Sequence, residues 1–323
     1  MPLPEKALIA RLRRRTGAGG KLVVGLGDDC AVLRIPAGHE TLVTTDFSLE
    51  GIHFRREWHP PDAVGHRCLA RGLSDIAAMG GEPIAAFLSL ALPTTAPQAW
   101  VDAFFNGLLN LAKKHRVTLA GGDTAQSPGP ILADIVVLGS APRGKAVLRS
   151  GARAGDLVCV TGELGASAAA ISDLRAGRGV KQVQREYPCH FYPRPRLEIA
   201  RFLRERRLVT SMIDISDGLS TDLDHICEES GVGAEVDAEV IPRASAGKRG
   251  RLVDLGFALH GGEDYELLFT APADADVPAR IAGVKISRIG KITRTPGMKL
   301  RLSNGKLQNL RPEGWQHFKF RRI

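Results

Sequence analysis

The chain has 323 residues, 44% of them hydrophobic but only 5% aromatic, so an aliphatic core and room for two domains are expected. Its formal net charge of +9 raises a nucleic-acid reading, against which stand the absence of an RNA-binding module pattern and the presence of only three Trp and three Tyr. No apolar run reaches the length of a membrane span, so no membrane partner is expected.

Along the chain, arginines at 11 and 13–15 follow a short apolar stretch without a small-residue cleavage site, which argues against a secretory signal. Short strands separated by Gly/Asp turns are expected at 22–25, 31–35 and 40–45. Residues 62–79 have helical spacing, with Val64, Cys68, Leu69, Leu73 and Ile76 as the apolar stripe. A buried strand at 85–92, a helix at 96–115 and strands at 118–120 and 131–140 complete an α/β domain, placed at residues 1–144. After the basic, Gly-bearing stretch 141–156, a second α/β domain is expected over 145–323. It has strands at 157–161, 212–215, 234–240, 265–270 and 285–292, and helices at 166–174, 196–206 and 218–229. The five cysteines, Cys30, Cys68, Cys159, Cys189 and Cys227, are odd in number and form no CxxC pair. This disfavours a disulfide framework or a zinc site and fits a reducing cytoplasm.

Six short acidic segments stand out against the basic background: GLGDDCAVL at 25–33, TTDFSLEGIHF at 44–54, LSDIAAMGGEP at 73–83, AGGDT at 120–124, IDISDGLSTDL at 213–223 and GGEDYELLF at 261–269. Each sets Asp or Glu beside Gly, Ser or Thr at the end of an apolar run. Carboxylates gathered at strand ends suit hard cations such as magnesium, which would relieve their mutual repulsion and present a surface to phosphate oxygens. Adjacent Asp28 and Asp29 point to opposite faces of an extended segment, so one of the two reaches a given ion. Asp46 is expected where a strand leaves the sheet. Asp75, inside a helix, either faces solvent or points into a cleft. Asp123 follows Gly121-Gly122, where the backbone can approach a phosphate closely.

Alternation places Asp214 and Ser216 on one face and Ile213 and Ile215 on the other. Asp217 stands equally as a helix N-cap or as a metal ligand. His53, between Ile52 and Phe54, can be a buried structural histidine; Glu263 and Asp264 can shape a turn; Trp315 can be ordinary packing. The segment Thr161–Gly165 before a helix is a weak phosphate-contact candidate. No P-loop, protein-kinase signature, GxSxG elbow or HExxH occurs.

In this order and spacing, the six segments and Gly314–Phe318 resemble the thiamine-monophosphate kinase family, of the superfamily that also holds aminoimidazole ribonucleotide synthetase. The resemblance implies two mixed α/β domains with the active site in the cleft between them. It also implies transfer of the γ-phosphoryl group of ATP to thiamine monophosphate with several magnesium ions, and a homodimer formed through the N-terminal domain. By position, it implies magnesium ligands at Asp29, Thr44, Thr45, Asp46, Asp75, Asp123, Asp214 and Asp217. ATP contacts fall at Gly122, Asp123, Arg149 and Ser216, and thiamine contacts at His53, Glu263 and Trp315. Thr44 stands where some relatives have Ser, and Gln316 where Asp is expected. No catalytic nucleophile is implied, in keeping with an acceptor phosphate that is already mostly a dianion at neutral pH. A selenophosphate synthetase-like enzyme is the nearest alternative, disfavoured by an expected burial of Cys30; a non-catalytic nucleotide- or RNA-binding protein is the other.

Overall fold

The structure, a computed structural model, describes residues 1–16, 21–26, 29–246 and 250–316. Asp28, His317, Phe318 and the basic residues Lys319, Arg321 and Arg322 lie outside them. The chain forms two compact units.

The first unit takes Met1–Ile76, Gly81–Ala146 and Phe191–Pro195. Its elements are α1 (Glu5–Arg15), β1 (Leu22–Val24), β2 (Val32–Leu33), β3 (His39–Leu49), α2 (Pro61–Ala78), β4 (Glu82–Leu92), α3 (Gln98–His115), β5 (Thr118–Gln126) and β6 (Leu132–Pro142). Four strands form a sheet in the order β3-β6-β4-β5, in which β4 and β5 run parallel and β6 is antiparallel to both of its neighbours. The parallel pair requires a crossover, which α3 supplies.

Along β3 the even-numbered residues point to the helix-covered face, where Leu42 and Ser48 are buried. The odd-numbered Thr41, Val43, Thr45 and Phe47 are exposed on the other face. Gly72 of α2 lies against Val137 and Thr44, which puts α2 over the even face. The two helices touch backbone to backbone: a Cβ on Gly65 would meet the Phe104 carbonyl at 1.9 Å, and one on Gly107 the Asp62 carbonyl at 1.8 Å. Only glycine allows that approach. α1, which sequence periodicity did not reveal, packs Leu8 and Leu12 inward. It is tied to α3 by the Arg11–Asp102 ion pair and by Arg15 donating to Asn106.

The second unit takes Ala77–Gly80, Val147–His190 and the chain from Arg196 onward. In order it contains β7 (Leu157–Thr161), α4 (Ala166–Arg175), α5 (Val180–Glu186), α6 (Pro188–Phe191), α7 (Leu197–Glu205), β8 (Ser211–Asp214), α8 (Leu219–Ser230), β9 (Gly233–Asp237), β10 (Ser245–Ala246), β11 (Arg251–Leu252), α9 (Leu255–His260), β12 (Leu267–Ala271), β13 (Arg280–Ile281), β14 (Val284–Thr293), β15 (Gly297–Arg301) and β16 (Leu307–Leu310). Its main sheet runs β16-β15-β9-β14-β7-β12-β8, with β13 paired to β14. The central strands are buried on both faces, as the continuous apolar runs at 157–161 and 267–271 require. Leu219, Leu223 and Ile226 of α8 join Val158, Val160, Ile213 and Leu268 in one core. The two mixed α/β units are the expected fold class.

Candidate functional site

In the first unit, strand register gathers the acidic residues at one level of the sheet. Asp123 on β5, Ser89 on β4, Asp134 on β6 and Phe47 on β3 are successive partners in a row across the sheet. Their side chains share the open face. The next row, Gly122, Leu88, Ile135 and Asp46, faces the helices. Asp46 is therefore in mid-strand, three residues before β3 ends at Leu49, and not at a strand exit. The turn after Thr45 read from sequence is absent because β6 pairs with β3 as far as Leu49. Asp123 likewise lies inside β5, because pairing with β4 continues to Gln126.

On the helix face, Thr44 donates its hydroxyl to the Asp75 carboxylate across the β3–α2 contact. Asp75 thus faces the sheet and not open solvent. Burial pushes the Asp46 carboxyl up to about 7, aided by the negative charges of Asp75 and Asp134 and offset in part by Arg71. A carboxylate held up by its neighbours' charge is one that a cation would favour in its ionised form. Thr45 lies on the open face, where its Oγ1 donates to Asp134 at 2.7 Å. The side chains of Thr44, Asp46 and Asp75 are thus brought together, and that of Thr45 is not with them. Asp134 was missed because the β6 segment reads as a plain apolar strand.

Beside β5 is a cavity of about 510 Å³ whose lining includes Asp29, Gly122 and Asp123 together with the apolar Leu12, Phe87 and Leu119. Gly122 has φ of 140°, and a Cβ there would meet the Leu88 carbonyl at 1.9 Å, so glycine is obligatory at this point of the wall. Cys30, expected to be buried, is exposed: it precedes the two-residue β2 and is not part of it. Its burial is therefore no argument against selenophosphate chemistry. His53 closes the end of β3, its Nδ1 accepting the Leu49 N–H at 3.0 Å, which leaves the ring proton on Nε2. It is half-buried, between buried Phe54 and exposed Ile52.

In the second unit, Asp214 ends β8 and is buried with Ile213 and Ile215. The N-cap position of α8 is Gly218, and no side chain of that residue can cap it. The cap is supplied from inside the helix: Asp222 Oδ2 accepts the N–H groups of Asp217 (3.2 Å) and Gly218 (3.0 Å). That role, one of the two sequence readings of Asp217, belongs to Asp222. Burial raises the Asp222 carboxyl well above the usual range, reinforced by Asp214 and Asp217 and opposed by the two backbone donors. Ligand atoms of Asp217, Asp222 and His225 lie within 4.8 Å of one another and could hold a cation. Asp222 and His225 were missed because they sit in an amphipathic helix pattern; the signal was a third Asp in the IDISDGLSTDL segment.

The GGED segment runs against Ser216: Glu263 N–H donates to the Ser216 carbonyl at 2.8 Å and Tyr265 N–H to that of Ile215 at 2.9 Å. Glu263 and Tyr265 have φ of 65° and 52°. Each such non-glycine conformation costs about 1–3 kcal/mol and persists only where surrounding contacts hold it. Asp264 accepts the N–H groups of Gly165 (2.6 Å) and Ser167 (3.3 Å) at the start of α4, so a protein carboxylate fills the helix terminus considered for a phosphate. Burial pushes the Asp264 carboxyl up to about 7, the two N–H groups working against that rise. Glu266, buried, is held by Arg196 and by the Thr161 hydroxyl at 2.5 Å. Trp315 N–H donates to the Asp217 carbonyl at 2.9 Å, while the residue is 50% exposed and so is not core packing. Arg149 is exposed. Ser216, Asp217, Glu263 and Trp315 are thus drawn together in this unit by main-chain hydrogen bonds.

Residues 27–141 match the family described as AIR synthase related protein, N-terminal domain, and residues 153–303 its C-terminal domain. The thiamine-monophosphate kinase of Escherichia coli (strain K12) is 37% identical over 328 residues, covering 98% of this chain and 99% of that protein. The crystal structure of the thiamine-monophosphate kinase from Stenotrophomonas maltophilia K279a superposes with a TM-score of 0.83 at 35% identity, covering 95% of this chain and 98% of that one. A structure of AaThiL complexed with AMPPCP and TMP matches with a TM-score of 0.76 at 29% identity, over 98% of this chain and 97% of that one. The chain belongs to the AIR synthase related family and, within it, to the thiamine-monophosphate kinases.

Proposed function

We infer that this protein transfers the γ-phosphoryl group of ATP to thiamine monophosphate, giving thiamine diphosphate. The observation that carries this reading is likeness over nearly the whole chain to thiamine-monophosphate kinases, one of them complexed with AMPPCP, an ATP analogue, and TMP. Residues 1–144 and 145–323 are taken as its two domains.

The crowded carboxylates suit magnesium: oxygen-only donors, with Asp46 and Asp222 pushed toward protonation by burial and by neighbouring carboxylates. In this reading Asp29, Thr44, Asp46, Asp75 and Asp123 hold ions in the first unit, and Asp214 and Asp217 in the second. Thr45 belongs with this set only by position along the chain. Bound magnesium would neutralise phosphate charge. Gly122 offers backbone at close range to the nucleotide, and Ser216 a hydroxyl. Arg149 brings a permanent cation against phosphate oxygens. His53, Glu263 and Trp315 take the thiamine moiety, with the exposed Trp315 ring available for stacking.

No side chain is needed to deprotonate the acceptor, whose phosphate is already anionic. The protein's task is to bring two polyanions into line and hold them there. We favour a direct in-line transfer without a phosphoenzyme. The exposed β3 face, with Val43 at 65% and Phe47 at 53% exposure, supports pairing with a second copy through the first unit. We place the reaction in the cytoplasm, consistent with five free cysteines. The test is product formation: purified protein with ATP, magnesium and thiamine monophosphate should form thiamine diphosphate, and none formed would overturn the reading.

A further inference from the structure

The loop after α9 carries two left-handed non-glycine residues, Glu263 and Tyr265, on either side of Asp264. Its anchors are laid out residue by residue. The Glu263 and Tyr265 N–H groups are bound by Ser216 and Ile215. The Asp264 carboxylate is bound by the Gly165 and Ser167 N–H groups. The Glu266 carboxylate is bound by Arg196 and Thr161.

The receiving side is itself fixed. Ser167 Oγ lies 2.8 Å from His190 Nδ1, both side chains buried. Leu164, just before α4, exchanges hydrogen bonds with Pro242 (2.7 Å) and Ala244 (2.9 Å). A loop so strained would relax if its side-chain anchors were cut, and the residue displaced would be Glu263. The adjacent acids therefore have unlike tasks: one is tied to a helix terminus, and the other is set beside Ser216.

We propose that Asp264 is a positioning residue that acts through Glu263, holding it in the conformation that receives the thiamine end of the acceptor. This rests on the acceptor role assigned to Glu263 above. Asp264→Asn is the informative substitution, because the amide keeps one acceptor oxygen but turns an N–H donor toward the second helix N–H.

Steady-state kinetics of the full chain, wild type, Asp264→Asn, Glu263→Ala and the double variant, would test it. Asp264→Asn should raise the KM for thiamine monophosphate by about tenfold or more, within the range of a misplacement of about 1 Å, and leave the KM for ATP unchanged. In the Glu263→Ala background the same substitution should add nothing further. Effects that multiply, or an equal rise in both KM values, would overturn the proposal. So would a wild type that forms thiamine diphosphate but whose acceptor KM ignores Glu263→Ala, an outcome that leaves the activity standing. A wild type that forms none removes the activity and the positioning role together.

Discussion

Asp46 on β3 and Asp264 after α9 both have carboxyl groups pushed up to about 7, yet their surroundings differ in kind. Asp46 is half-buried beside like charges, Asp75 and Asp134, with Arg71 as the opposing cation. Asp264 is half-buried against two helix N–H groups that hold it in place and outweigh the like charges of Glu266 and Glu263. The first is an arrangement whose repulsion a cation would relieve. The second is a helix cap that needs nothing more. An acid's perturbation therefore marks a binding site only when its neighbours leave charge uncompensated.

The strongest test of that contrast is Asp46→Asn. Loss of a carboxylate that holds metal should lower kcat/KM by about three powers of ten, roughly 4 kcal/mol. Thermal stability without magnesium should not fall. An active Asp46→Asn enzyme would break the comparison.

On the scaffold side, Arg196→Ala would leave Glu266 buried without its cation. A loss of about 3–5 kcal/mol in urea unfolding is expected. A loss under about 1 kcal/mol would mean that the Thr161 hydroxyl alone suffices.

Gly122→Ala tests the wall of the cavity beside β5. With φ of 140° and the Leu88 carbonyl in the place of a Cβ, it should cost about 2–3 kcal/mol and loosen the β4–β5 pairing. Amide hydrogen exchange along β5 would detect it.

The smallest effect is in pH dependence. Both carboxyls have folded pKa values above the ordinary 3.8, so the folded state binds protons more tightly than the unfolded chain. Their contribution is fully present below about pH 4 and is lost as pH rises through about 7. Asp46→Asn should remove its share of that slope, on the order of 1–2 kcal/mol once screening is allowed for. Magnesium should flatten the wild-type slope by acting on Asp46 and leave the Asp264 share intact. Denaturant melts at pH 5 and pH 8, with and without magnesium, separate the two.

Much of this was legible in the chain. The helix read at 62–79 is α2 at Pro61–Ala78, and the strand read at 157–161 is β7. Long segments with one clear period declare themselves. β2 lies inside the strand read at 31–35, whereas the two-residue strands β10, β11 and β13 are too short to show a period. The basic α1 owes its place to contacts with α3 far along the chain. Among the acids, motif order marked Asp29, Asp46, Asp75, Asp123, Asp214, Asp217 and Glu263 as candidates. Asp264, read only as able to shape a turn, is tied to the start of α4. Asp134 and Asp222 stayed hidden inside segments that read as an ordinary strand and an ordinary helix.

Sequence alone determined the two α/β domains, the family and the supply of carboxylates, because apolar period and motif spacing are local properties of the chain. Tertiary structure decided which carboxylates are spent and which are crowded. Strand register set Asp46 and Thr45 on opposite faces and brought Asp134 beside Thr45. A helix terminus nearly a hundred residues earlier in the chain took up Asp264. Such pairings depend on which backbone donors and like charges the fold brings within reach, and no local pattern encodes that distance.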